Sequence, residues 1–250
     1  MLHTIVVEAS ERRIVTVRLN RPERGNAFDQ TMLDELGETF ARLAADEVAR
    51  IIVLRANGRH FCSGADLSAP KTEPGAHTRY SLRDVLGALD ALPKPTLAVV
   101  HGAAVGGGAA FAACCDCVIA TDAAFFSIPE VRVGMPPLGV APFLIRAMGH
   151  RQFRRYGLSG ERIGAAEALR IGLVHEVCSA EALEETLARI ADAFLHGAPG
   201  AMRTLKAAAA QLAAAGTSES GMPGHDSKTA EALEGIASFR EKRKPSWYPQ

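Results

Sequence analysis

Two short runs of β-branched apolar positions open the chain, and in the second of them apolar and polar residues alternate. Thr4 to Ala9 and Ile14 to Leu19, separated by Ser10-Glu11-Arg12-Arg13, predict a β-hairpin; in the second run Val15, Val17 and Leu19 alternate with Thr16 and Arg18. The period then changes. Met32, Leu33, Leu36, Phe40 and Leu43 recur at helical spacing behind Asp29, a candidate N-cap. Ile51 to Leu54 predicts a buried strand, followed by a loop that ends in Ser63-Gly64-Ala65-Asp66. Ser68 to Thr78 holds two prolines and little apolar content, which predicts a mobile loop. Leu82, Val85, Leu86 and Leu89 then mark a second amphipathic helix.

The run from Pro95 to Cys115 carries no Asp, Glu, Lys or Arg, long enough to suggest a membrane span. Four glycines (Gly102, Gly106, Gly107 and Gly108) argue against one. A β-rich start at Thr96 to Val100, a glycine break and a small-residue continuation predict a buried strand, a tight turn and a buried helix. Short strands follow at Cys117 to Ala120 and Ala124 to Phe126. The stretch from Ile128 to Pro142 is rich in Pro and Gly and reads as a stiff, irregular connection. From Ala141 onward the pattern is almost wholly helical: Ala141–Met148 stopped by Gly149, Ala165–Ile171 stopped by Gly172, Glu181–Phe194 and Ala201–Ala214. A flexible linker from Gly216 to His225 and a helix from Lys228 to Arg240 follow, before a basic tail that ends at Lys244. The expectation is an α/β core over residues 1–195 and a helical C-terminal module over 196–250.

Composition narrows the function classes. A chain of 250 residues with 48% hydrophobic and 22% charged residues is an ordinary globular protein. Lys plus Arg and Asp plus Glu both number 28, so no positive excess exists to drive binding to nucleic acid. The cysteines number five, an odd count, and the N-terminal residues lack the layout of a secretion signal; a reducing cytoplasm is expected. Cys114, Cys115 and Cys117 have no second Cys or His pair at zinc-ligand spacing and read as buried thiols, so no metal site is expected.

Two glycine-bearing turns each follow a strand and precede a helix, one at Ser63 to Asp66 and one at Val105 to Gly108. Backbone N–H groups at such turns lack intrahelical acceptors, and a pair aimed at one point would polarise a carbonyl and stabilise an enolate-like oxyanion. A third feature is Glu130, directly after a short apolar strand and behind Pro129, where partial desolvation would raise its pKa toward that of a general acid or base. Taken singly, the glycines also read as packing devices and Glu130 as a solvated loop residue.

In order and spacing, Asn20-Arg21-Pro22 with Asn26-Ala27, Phe61 to Leu67, His101 to Gly108, and Ile128-Pro129-Glu130-Val131 with Gly134 resemble the enoyl-CoA hydratase/isomerase (crotonase) family. So does the ending Phe239 to Pro245, and the resemblance spans essentially the whole chain. It implies a crotonase-like spiral of ββα repeats with a C-terminal helical trimerisation module, assembled as trimers or dimers of trimers that bind acyl-CoA thioesters. It also implies an oxyanion hole from the N–H groups of Ala65 and Gly107, with Glu130 as the proton-transfer residue. CoA contacts are implied at Arg24, Ala27, Ser63, Asp66 and Leu67, and at Lys244, which in such assemblies can reach a neighbouring subunit. No cofactor is implied, because CoA is part of the substrate.

One departure bears on the reaction. The first of the two glutamates of a typical hydratase falls at Ala110, which can neither hold nor activate water. Hydration needs a water oriented at Cβ and a proton at Cα, whereas moving a double bond needs one base that removes and returns a proton. The family hydratases of branched glutaconyl-type esters, which this chain also resembles, can lack that glutamate. The expectation is an enoyl-CoA hydratase, with a Δ3,Δ2-enoyl-CoA isomerase using Glu130 alone as the alternative, and a catalytically inactive CoA-binding subunit as a reading of another class. Leu138 lies near the place of a nucleophilic aspartate in dehalogenase relatives, which argues against that chemistry. His77, Tyr80 and His101 are further polar candidates near the acyl group.

Overall fold

The computed structural model describes residues 2–69, 79–215 and 229–249. Its main sheet has six strands: β1 (Ile5–Ala9), β2 (Ile14–Leu19), β3 (Ile51–Ala56), β4 (Thr96–Val100), β6 (Cys117–Thr121) and β9 (Glu176–Cys178), in the order β1-β2-β3-β4-β6-β9. The first pair is the antiparallel hairpin, Ile5 opposite Leu19; every later pair is parallel. A smaller sheet joins β5 (Ala103–Val105), β7 (Phe125–Ser127) and β8 (Ile163–Gly164) in the order β5-β7-β8.

Strands buried on both faces read as continuous apolar runs, because successive side chains point to opposite sides. Ile52, Leu54, Ala98, Val100, Val118 and Ala120 face the larger core. That core is completed by Met32, Leu36 and Phe40 of α1 (Gln30–Ala45) and by Val85, Leu86 and Leu89 of α2 (Leu82–Asp90). Ile51, Val53, Leu97, Val99 and Ile119 face the other side, against Leu183, Ala191 and Leu195 of α6 (Leu183–Leu195). Asp29 caps α1, accepting from Met32 N at 2.9 Å. Ser81 and Asp84 cap α2 reciprocally in a capping box.

The second half departs from an all-helical reading in three ways. Gly149 does leave the helical region (φ 77°, ψ 157°), but helix resumes beyond it, so that α4 runs Ala141–Ser159 with a kink. The two short strands β8 and β9 interrupt the helices α5 (Ala165–Arg170) and α6. Finally, β9 extends the main sheet by pairing with β6, Ile119 opposite Glu176.

The helices α7 (Pro199–Ala215) and α8 (Ala230–Glu241) close the described chain. They are tied to the core at several points. The nearly buried Arg50 donates to the carbonyls of Gly197 (2.9 Å) and Trp247. Trp247 Nε1 donates to His196 O at 3.0 Å, and Lys206 reaches Asp116 at 2.6 Å. Arg12 joins Asp192 and the Tyr248 hydroxyl. The expected linker Gly216 to His225, and all of the expected mobile loop beyond Ala69, lie outside the described residues.

Candidate active site

Three stretches distant in sequence meet above the main sheet. Cys62 N donates to Ala103 O (3.0 Å) and Val105 N to Cys62 O (2.9 Å), so the end of the first glycine loop lies parallel to β5. On its other side the loop pairs with Phe28: Phe28 N donates to Gly64 O and Asp66 N to Phe28 O, both at 2.9 Å. This small ladder sets the Ala65 turn beside the Gly106 turn. Among the described residues neither Ala65 N–H nor Gly107 N–H donates to a protein acceptor, and Gly107 opens α3 (Gly107–Ala113), where the first N–H groups have no intrahelical partner.

Each residue of the triple glycine meets a different neighbour. Gly106 holds φ at +55°, and a Cβ there would lie 2.5 Å from Glu130 Oε1; its N–H donates to Ser127 O at 2.8 Å. A Cβ on Gly107 would stand 2.6 Å from the Phe28 ring, and one on Gly108 would stand 2.5 Å from the Cys62 carbonyl oxygen. Two of the three glycines thus allow α3 to approach its neighbours closely, and the third makes room for the Glu130 carboxylate.

Glu130 begins a single 3-10 turn, Glu130–Val133, which Gly134 ends in the left-handed region (φ 75°). Its carboxyl is half-buried, Oε2 has no hydrogen-bond partner among the described residues, and burial pushes the pKa up from the ordinary glutamate value. Desolvation disfavours the charged form, the direction of shift that suits a general acid or base.

Ala65, Gly107 and Glu130 line one cavity of about 370 Å³ together with Ser63, Leu67 and Phe28. Leu82, Met135, Val140 and Arg132 contribute further wall. Among the described residues of the wall, Glu130 is the only carboxylate. Ala110 is not part of this wall; it is wholly buried in α3.

The other expected contact residues are placed as follows. Arg24 is exposed and not part of the cavity wall; its Nη1 lies 3.4 Å from Ser68 Oγ, while its carbonyl accepts from Ser63 Oγ at 3.3 Å. Ala27 is buried behind the wall, its carbonyl held by Arg21 Nη1 at 2.6 Å. The Asp66 carboxylate is turned inward to Ser68 (2.6 Å to Oγ, 3.1 Å to N) and Arg21 (3.0 Å), which hold its pKa down at about 2. Leu67 is exposed. Lys244 is not brought to the cavity within this chain: its Nζ sits 3.8 Å over the Tyr248 ring.

Tyr80 packs on Gly37 of α1, and its carbonyl accepts from Gln30. His101 Nε2 is 2.8 Å from Gly58 O, a contact within the loop scaffold. His77 lies outside the described residues. Burial pushes the thiol of Cys62 up to about 12 and that of Cys117 up to about 11; Cys114 and Cys115 are raised for the same reason. Among the described residues no cluster of three or more His, Cys, Asp or Glu could hold a metal ion, and no helix is long and apolar enough to cross a membrane.

Phe28, Arg132 and Met135 belong to the cavity, and nothing in the sequence pattern marks them. Phe28 is isolated between a loop and a helix, and the other two lie in a stretch without periodicity.

One cavity lined by a desolvated carboxyl and by two turns whose N–H groups have no acceptor among the described residues is the arrangement expected of enzymes that stabilise an enolate. Residues 9–250 match the family described as "Enoyl-CoA hydratase/isomerase", and the chain belongs to that family. It is 32% identical over 249 residues to the 2,3-dehydroadipyl-CoA hydratase of Escherichia coli K12, covering 97% of this chain and 98% of that one. To the enoyl-CoA hydratase AFT6-1 of Alternaria alternata it is 33% identical, covering 92% of this chain and 79% of that one. The crystal structure of an enoyl-CoA hydratase from Shewanella pealeana superposes with a TM-score of 0.87 at 30% identity, covering 99% of this chain and 97% of the other. The fold is the crotonase fold.

Proposed function

We propose that the protein is an enoyl-CoA hydratase that adds water across the 2,3 double bond of an acyl-CoA thioester. The observation that carries this reading is the half-buried Glu130 carboxyl, its Oε2 without a partner among the described residues, in the wall of one cavity with Ala65 and Gly107. In this scheme the two N–H groups hold the thioester oxygen as charge develops on it. Glu130 takes a proton from water as its oxygen bonds to Cβ, and returns a proton to Cα as the enolate collapses. One carboxyl with a raised pKa serves both transfers, and CoA enters as part of the substrate without a separate cofactor.

Isomerisation is the second reading, and one observation favours it. The position of the first family glutamate is Ala110, wholly buried and absent from the cavity wall, so no second carboxylate of the described residues orients water. Crotonyl-CoA and a 3-enoyl-CoA separate the readings by absorbance of the conjugated thioester. Hydration removes it from the first, and isomerisation generates it from the second. Inactivity on both and on 3-methylglutaconyl-CoA, with CoA esters still bound, would leave a binding subunit.

The C-terminal helices support a proposal of assembly. Leu233, Ile236 and Phe239 of α8 are exposed in the single chain, Phe239 at 85%. Further copies, as a trimer or a dimer of trimers, are the proposed cover for this face, and Lys244 would reach a phosphate only across such a contact.

A further inference from the structure

Among the described residues, Arg132 is the only cationic side chain in the wall of the Glu130 cavity. Its neighbours there, Val133, Met135, Pro136 and Val140, are apolar. The guanidinium is held at the C-terminal end of α4, where Nε (3.2 Å) and Nη2 (3.0 Å) both donate to the Ser159 carbonyl. Gly160 makes this seat possible, since at its φ of +61° a Cβ would lie 2.8 Å from Arg132 Nε.

The seat uses one edge of the guanidinium and leaves the other. Nη1 and the second N–H of Nη2 have no acceptor among the described residues. Nor does Arg132 form an ion pair with a carboxylate of the described residues. Glu161, on the chain just past Ser159, is engaged by Arg155 at 2.9 Å, and Glu130 on the same turn as Arg132 makes no pair with it. An oriented cation with a free two-pronged edge, beside the apolar Val133, Met135, Pro136 and Val140 of the cavity wall, suits a planar anion better than a hydrocarbon tail.

We propose that Arg132 selects acyl groups that carry a carboxylate at the end remote from the thioester, so that the preferred substrates are CoA esters of unsaturated dicarboxylic acids. The inference rests on the acyl-thioester reading above and adds the substrate class to it. Arg132 is then a specificity residue: it pairs with the distant carboxylate while the thioester carbonyl sits at Ala65 and Gly107.

Saturated CoA esters, which cannot react, test this by calorimetry. Glutaryl-CoA and adipyl-CoA are compared with butyryl-CoA and hexanoyl-CoA on the wild-type protein and on Arg132→Met and Arg132→Lys. The wild type is expected to bind the dicarboxylic esters about tenfold or more tighter, the effect of a charge-assisted hydrogen bond. Arg132→Met should bring the ratio to near one, and Arg132→Lys should keep part of it. Equal binding of both ester types by the wild type would overturn the inference alone. So would a preference that survives in Arg132→Met. Binding of no CoA ester at all would remove the acyl-thioester reading, and the inference with it. The wild-type comparison stands even if loss of the Ser159 contacts unfolds a variant.

Discussion

Glu130 Oε1 lies 2.5 Å from the point where a Cβ on Gly106 would stand, so the hydrogen of this glycine is what lets the carboxylate enter the cavity. The same glycine holds φ 55° and ψ −117°, a conformation closed to other residues without strain. Gly106→Ala should therefore act twice. It should lower the melting temperature, with strain on the order of 1–3 kcal/mol, and it should displace Glu130 and suppress turnover well beyond that loss. Wild-type turnover in a folded Gly106→Ala protein would separate the glycine from the position of the carboxylate.

Gly107 lines the cavity, but a Cβ added there would point at the Phe28 ring, 2.6 Å away. Gly107→Val should consequently destabilise the fold as well as abolish catalysis, by overpacking of about 1–3 kcal/mol or more. Shortening the ring in Gly107→Ala/Phe28→Leu should recover part of the melting temperature lost in Gly107→Ala. Additive losses in the double variant, measured by thermal unfolding, would show that the two residues do not press on one another.

The raised pKa of Glu130 makes it a cost to stability at neutral pH. Below the ordinary carboxylate range the residue is protonated in both folded and unfolded chains and contributes nothing. As pH rises from there through the folded pKa, the unfolded chain gives up its proton more readily and stability falls. Glu130→Gln should then be more stable than the wild type at pH 7.5 and level with it near pH 4, by denaturant titration at both values.

Asp66 runs the other way. Held at about 2 by Ser68 and Arg21, it stabilises the turn after Ala65 at pH values above the ordinary aspartate range, and that contribution fades as pH falls through about 2. Asp66→Asn should remove it, so the difference in melting temperature between variant and wild type should shrink in strong acid. A difference independent of pH would assign the contribution to shape rather than charge.

Much of this arrangement is legible along the chain because its cause is local. The hairpin, α1 behind Asp29, and the strand, glycine turn and helix from Thr96 to Ala113 announce themselves through period and capping residues. The missed pieces have causes that are not local. The strands β8 and β9 have two and three residues and exist through pairing with β7 and β6, which no short window contains. The second half of α4 shows little apolar period because His150, Arg151, Arg154 and Arg155 lie on an open face, and Tyr156 and Gly157 carry its burial. At the site, Ala65, Gly107 and Glu130 stand out through motif and family likeness. Arg132 does not, because its significance lies in the Ser159 carbonyl it grips and the cavity it borders.

The exposed face of α8 gives a test of assembly. Phe239→Asp should shift the protein toward smaller species in sedimentation velocity at micromolar concentration, since a charge placed in an apolar contact is costly to bury. An unchanged sedimentation coefficient would place the contact between copies elsewhere.

The central claim is that Glu130 moves the proton. Glu130→Gln keeps the shape and hydrogen-bonding capacity of the side chain and removes its titratable group. The measurement is turnover of the best unsaturated CoA ester by the variant, alongside its affinity for a saturated ester of the same length. Affinity should stay within a few-fold of the wild type while kcat falls by roughly 10²–10⁴. A folded variant that binds normally and keeps more than about a tenth of the wild-type kcat would contradict the assignment, since loss of a positioned general acid or base costs far more than that.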